Sequence, residues 1–171
     1  EIVRLGGAEL AAEIGAVSAD HLLNASDEGL RAMAAAGVVA TLLPATAFSL
    51  REPYARGRFM IDAGCAVALA TDFNPGSCFS ESIPLVAALA ALYMNLSPEE
   101  IVTALTLNAA AALGRAQAVG SLDPGKQGDV VILENPSYRY IPYHLGVSTV
   151  EKVIKRGTLA FDKCRQGERP C

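Results

Sequence analysis

The sequence predicts an α/β fold built around a parallel sheet. Three observations lead there. Short apolar runs at 16–21, 38–43 and 65–71 each follow a helical segment. The second and third runs are nearly continuously apolar, as strands covered on both faces are. Each run gives way to polar residues at its C-terminal end: Asp20-His21 after the first, Thr41 and Thr46 around the end of the second, Thr71-Asp72 after the third. Helix and strand alternating in this way imply parallel neighbours, because parallel strands need a crossover connection.

The elements follow in order. Residues 5–15 (LGGAELAAEIG) predict a helix that closes on Gly15, and 16–21 a short strand. Ser26-Asp27-Glu28 supplies an N-cap and an acidic first turn for a helix running to Gly37. The β-branched run 38–43 predicts a strand stopped at Pro44, with a turn beyond it. Residues 52–63 predict a helix ended by Gly64, and 65–71 the third strand. A loop at 73–77 leads to an Ala- and Leu-rich helix over 82–94. Ser97-Pro98-Glu99-Glu100 has the form of a capping box and opens a helix expected to run to Leu113 and stop at Gly114. The pattern then changes. Val130–Leu133 predicts a strand, and 153–161 a hairpin turning at Arg156-Gly157, so 119–161 predicts a separate small β layer. Residues 162–171 predict a frayed polar tail.

Composition narrows the function classes. Of 171 residues, 51% are apolar and 19% charged, which supports a buried core and opposes disorder. The net charge is −4 and the basic residues are scattered, so no face can neutralise phosphate and no nucleic-acid partner is expected. Two long uncharged stretches, 33–50 and 82–98, approach membrane-span length, but glycine, proline and polar residues interrupt them, so no membrane partner is expected either. The four cysteines, Cys65, Cys78, Cys164 and Cys171, include no CxxC, and two histidines are too few for a structural zinc finger. With no secretion signal in view, free thiols in a reducing cytoplasm are expected, a Cys164–Cys171 disulfide being the alternative.

In parallel α/β folds, chemistry gathers at the C-terminal ends of strands. Asp72 alone could equally be a turn aspartate, and His21 alone a satisfied structural histidine. Their shared position, each ending a strand at the same face, favours function. Histidine with a carboxylate suits metal-assisted hydrolysis, in which the metal acidifies water and the carboxylate moves the proton. Asn74, Gly76 and Ser77 either form a turn or present amides and a hydroxyl to a polar substrate. His144 is assigned to the β layer as structural. Arg51, Arg56 and Arg58 predict a solvated helix face, with binding of a substrate carboxylate as the other reading.

The runs ATDFNPGS (70–77), LTLNAAAALGR (105–115) and GSLDPGKQGDVVIL (120–133) resemble the amidohydrolase superfamily. SADHL (18–22), YARGRFMIDAG (54–64) and IPYHLGV (141–147) narrow the resemblance to its imidazolonepropionase family. That resemblance implies the C-terminal portion of a metal-dependent (β/α)8 TIM barrel: the last three strands and their helices over 1–118, then strands of a small composite β-sandwich over 119–161. It implies hydrolysis of the cyclic amide of 4-imidazolone-5-propanoate to N-formimidoyl-L-glutamate, with one zinc or iron ion. Asp72 matches the metal-ligand aspartate and a catalytic position. His21 matches a histidine that polarises the substrate carbonyl or orients the nucleophile, and Glu1 a glutamate at the imidazolone ring and candidate base. Asn74 and Gly76 match positions at the formimidoyl-glutamate portion, and Ser77 one at the imidazolone. The other metal ligands, an HxH pair and a further histidine, are expected upstream of Glu1. A cytoplasmic homodimer is implied for the full-length protein. Another cyclic amidase or deaminase of the superfamily, or a non-catalytic interaction module, are the rival readings.

Overall fold

The computed structural model describes residues 3–164. Its first layer is a three-stranded parallel sheet of β1 (Ser18–Asp20), β2 (Val39–Leu42) and β3 (Val67–Leu69), in the order β1-β2-β3. The register sets Asp20 beside Thr41 and Thr41 beside Ala68, so the three C-terminal ends lie level. Side chains alternate across a sheet. Ala40, Leu42, Val67 and Leu69 pack into the helix-covered core.

Helix α1 (Gly7–Glu13) precedes β1, and α2 (Asp27–Ala36) links β1 to β2. Ser26 caps α2 by accepting from the Gly29 amide at 2.8 Å, as its position in the sequence predicts. Leu30 and Met33 of α2 are fully buried, together with Leu42, Met60 and Ile101. Each such side chain contributes about 1.5–3 kcal/mol on burial.

The second connection differs from expectation. Where a turn is predicted after β2, Pro44 opens a helix, α3 (Pro44–Leu50). Proline serves there because the first turn of a helix has no use for its missing N–H. The helix predicted over 52–63 is only α4 (Gly57–Asp62). Pro53 disfavours the helical region for the residue before it, and 52–56 forms no helix. The predicted arginine face stays at the surface but is not one helix face. Arg51 caps α3 with φ 57. Arg56 bonds Asp27 at 2.6 Å and lies over the Phe59 ring, and Arg58 pairs with Glu100.

Helix α5 (Ile83–Met94) begins at the Ser82 cap, and α6 (Pro98–Leu105) at the complete Ser97–Glu100 capping box. The helix predicted to continue to Leu113 breaks at Thr106 (φ −121, ψ −87) and resumes as α7 (Leu107–Ala112). The Thr106 hydroxyl donates to the Val102 carbonyl at 2.6 Å, a back-bond that disturbs helices. From α7, Asn108 Nδ2 donates to the Val67 carbonyl at 2.8 Å, tying the helix to β3.

The second layer is an antiparallel sheet of β4 (Val130–Leu133), β5 (Val150–Lys155) and β6 (Thr158–Asp162), in that order. Gly120, at the approach to this layer, is sterically required. Its φ is +97, and a Cβ there would meet Ala110 Cβ at 2.7 Å. The β5–β6 turn falls at Arg156 (φ 52) and Gly157 (φ 74), the left-handed pair that a two-residue hairpin needs. His144 is not in this sheet. It ends α8 (Tyr140–Tyr143), in the β4–β5 connection, which packs on α5.

Cys65 and Cys78 are free and buried. Cys164 is disulfide-bonded, which corrects the expectation of free thiols throughout; its predicted partner Cys171 lies outside the described residues. The predicted tail begins within β6 at Asp162, and 165–171 lie outside the described residues. No described helix is long and apolar enough to cross a membrane.

Candidate active site

Six described non-glycine residues have positive φ: His21, Leu22, Arg51, Asp72, Asn95 and Arg156. Arg51 and Asn95 are helix C-caps and Arg156 a hairpin turn, where this conformation is ordinary. The other three lie just past the C-terminal ends of β1 and β3. A left-handed non-glycine residue costs about 1–3 kcal/mol and persists where its surroundings hold it. Here they do so by hydrogen bonds. The His21 amide donates to the Thr41 carbonyl at 2.9 Å, extending the β1–β2 ladder by one bond. The Leu22 amide donates to the Asp20 carbonyl at 2.9 Å.

Asp72 (φ 54) is held twice. Its Oδ2 accepts from Thr46 Oγ1 at 2.8 Å, and its carbonyl accepts from Asn74 Nδ2 at 2.6 Å. Thr46 is buried in the first turn of α3. With β2 between them, the ends of β1 and β3 stand roughly 10 Å apart, two strand spacings.

The 74–78 loop is organised by Asn74. Its Oδ1 accepts from the Gly76 amide at 2.9 Å and the Ser77 amide at 2.8 Å, while its Nδ2 donates to Ser77 Oγ at 2.9 Å. An isolated bridge between Asn74 and Cys78 closes the loop. Both amides are therefore directed at Asn74 within a turn. Phe73 and Phe79 stack across it, with ring centroids 5.1 Å apart. Glu1 lies outside the described residues.

Two threonines matter more than the sequence suggests. Thr46 was visible only as a polar residue near a strand end; its bond to Asp72 spans 26 residues and follows from the fold. Thr41 Oγ1 is buried, with no hydrogen-bond partner among the described residues. A cavity of about 270 Å³ opens beside β1, lined by Arg4, Gly7, Asp20, Leu22, Asn24 and Ser26 among others, but not by His21 or Asp72. Within it Ser26 donates to Glu9, which holds the Glu9 carboxyl below its usual range.

A parallel α/β layer followed by an antiparallel sheet is an arrangement found in hydrolase barrels. The chain belongs to the amidohydrolase family, whose model matches residues 8–161. Among curated relatives it is 70% identical over 159 residues to an imidazolonepropionase of Bacteroides thetaiotaomicron, which covers 93% of this chain and 38% of that protein. It is 64% identical over 163 residues to an imidazolonepropionase of Clostridium tetani, with 95% and 39% covered. The chain thus spans well under half the length of these relatives. Among solved structures it resembles a zinc-bound adenosine deaminase from Xanthomonas campestris (TM-score 0.77, 21% identity, 85% of this chain and 37% of that one). It also resembles an atrazine chlorohydrolase from Arthrobacter aurescens complexed with zinc (TM-score 0.76, 19% identity, 94% and 43% covered). At these identities the two structures show the fold.

The described residues contain no group of three or more His, Cys, Asp or Glu able to hold a metal ion. Carboxylates that hold metals are usually braced by a hydrogen-bond donor, and Asp72 Oδ2 accepts one from Thr46 Oγ1.

Proposed function

We propose that this chain forms the C-terminal catalytic segment of an imidazolonepropionase-type hydrolase, acting on 4-imidazolone-5-propanoate in histidine degradation. The observation that carries the reading is Asp72 itself: a carboxylate past the end of β3, on strained backbone and clamped by Thr46. The 70% and 64% identities to imidazolonepropionases support the substrate class.

In this reading Asp72 is one ligand of a zinc or iron ion, the remaining ligands being supplied from outside this segment. When bound, the metal lowers the pKa of a water molecule and so supplies a nucleophile at neutral pH. His21 faces the ring carbonyl and stabilises the negative charge that develops on its oxygen. Asp72 or Glu1 carries the proton to the leaving ring nitrogen as the cyclic C–N bond breaks. Water is thereby added across the amide, giving the open-chain N-formimidoyl-L-glutamate. Asn74, Gly76 and Ser77 border the formimidoyl-glutamate and imidazolone portions, the Asn74 bonds keeping the loop in shape. The complete protein is a cytoplasmic homodimer in this reading, to be checked by light scattering.

The test is an assay of the full-length protein containing this segment on imidazolone propionate, with hydantoin and guanine beside it. Turnover of the first alone is expected. Turnover of another ring without it would move the protein to a different branch of the family. Asp72→Ala is expected to lower kcat by at least about 100-fold, as loss of a group acting in the transition state does. An unchanged rate would overturn the assignment of Asp72.

A further inference from the structure

Two hydroxyls on α3, one exposed and one buried, behave differently. Ser49 Oγ turns back to the Ala45 carbonyl at 2.9 Å, the usual choice for a hydroxyl inside a helix. Thr46 Oγ1 instead reaches Asp72 Oδ2 at 2.8 Å. Thr46 is 1% exposed, so this hydroxyl is fixed by packing and has little freedom to turn elsewhere. Among the described residues it is the one donor on the Asp72 carboxylate. A hydrogen bond to one carboxylate oxygen fixes the rotamer and leaves the second oxygen for a ligand. The donor is also uncharged. A lysine or arginine in its place would neutralise the carboxylate and repel a cation, whereas a hydroxyl orients the group and leaves its full negative charge.

Resting on the reading of Asp72 as a metal-holding carboxylate, we propose that Thr46 is a positioning residue. It presets the Asp72 carboxylate from the neighbouring crossover, so that the ligand is in place before the ion arrives. Two features point the same way: the burial of Thr46 and the departure of its hydroxyl from the helix.

The experiment uses the full-length protein containing this segment, loaded with zinc, and three variants. Thr46→Val keeps the shape and removes the donor; Thr46→Ser keeps the donor; Asp72→Ala removes the ligand. Zinc release to an excess of a colorimetric chelator is timed, kcat and KM are measured, and Tm is recorded for each. Thr46→Val is expected to release zinc about 10–100-fold faster and to lose kcat over the same range with KM nearly unchanged. Thr46→Ser is expected to stay close to the parent on every measure. Zinc release from Thr46→Val at the parent's rate overturns the proposal, as does a Ser variant impaired as deeply as the Val variant. If Thr46→Val does not fold, Thr46→Ala is compared with Thr46→Ser in its place, on the same criteria. Asp72→Ala separates the two levels. Zinc retained in it overturns the assignment of Asp72, whereas zinc lost from it but unaffected in Thr46→Val overturns the role of Thr46 alone.

Discussion

Arg58 of α4 places both terminal guanidinium nitrogens on the Glu100 carboxylate, Nη1 at 2.9 Å from Oε2 and Nη2 at 2.9 Å from Oε1. The same carboxylate accepts from the Ser97 amide at 2.8 Å, closing the capping box of α6. One side chain thus starts a helix and ties it to another element 42 residues back.

Ser97→Ala should cost about 1 kcal/mol, the worth of an N-cap, read from urea unfolding at neutral pH. Glu100→Gln should also destabilise. The Arg58 guanidinium, ahead of the Ser97 contacts, holds the Glu100 carboxyl below its usual range. A folded-state pKa below the unfolded one means that the contribution is present above the ordinary carboxylate range, near 4.5, and lost as the pH falls below it. The gap between parent and Glu100→Gln should therefore close on acidification; a constant gap would show that charge is not its source.

Asp129 makes the same argument more strongly for the β layer. Lys155 Nζ lies 2.7 Å from Oδ2 and the Arg156 amide donates to Oδ1 at 2.8 Å, so the carboxylate braces the hairpin turn. The Lys155 bond first, then the Arg156 amide, lower its pKa to about 2. Asp129→Asn should lower Tm at neutral pH. The difference from the parent should shrink as the pH falls from about 4, the unfolded-state value, toward about 2. Equal Tm values at pH 7 would remove Asp129 from the account of this turn.

Leu30 is fully buried beneath the sheet. Leu30→Ala should cost about 2–5 kcal/mol, because removed contacts and an uncollapsed cavity add together. Denaturant midpoints at constant m-value check this; a loss under about 1 kcal/mol would mean that the site collapses or is hydrated.

Cys65 is buried, with its thiol donating to the Leu30 carbonyl at 3.3 Å, and burial pushes its pKa up. Thiolate is the reactive form. Cys65 should therefore stay unlabelled by a thiol reagent at pH 8 in the folded protein and react fully in denaturant. Labelling of the native protein at the rate of the denatured one would contradict the buried placement.

Much of the fold was written in local chemistry. The caps at Ser26 and Ser97, the Val130–Leu133 strand and the Arg156-Gly157 turn each depend on residues within a few positions of one another. The failures also have local causes, weighted wrongly. Pro44 reads as a stop and is a first-turn residue, the helix expected from 52 starts only at Gly57 after Pro53, and the Thr106 back-bond divides a helix expected to be continuous. His144 went to the wrong layer because nothing near it in the chain shows that α8 leans on α5.

By itself, the sequence determined the alternation of helix and strand, the caps that start the helices, and the placing of His21 and Asp72 after apolar strands. Short-range hydrogen bonding and side-chain periodicity decide those matters, and both are visible in neighbouring residues. Only the tertiary structure decided that Thr46 meets Asp72 and that Arg58 grips Glu100. Such contacts join segments far apart in the chain, and their partners are set by register and packing rather than by nearness along the chain.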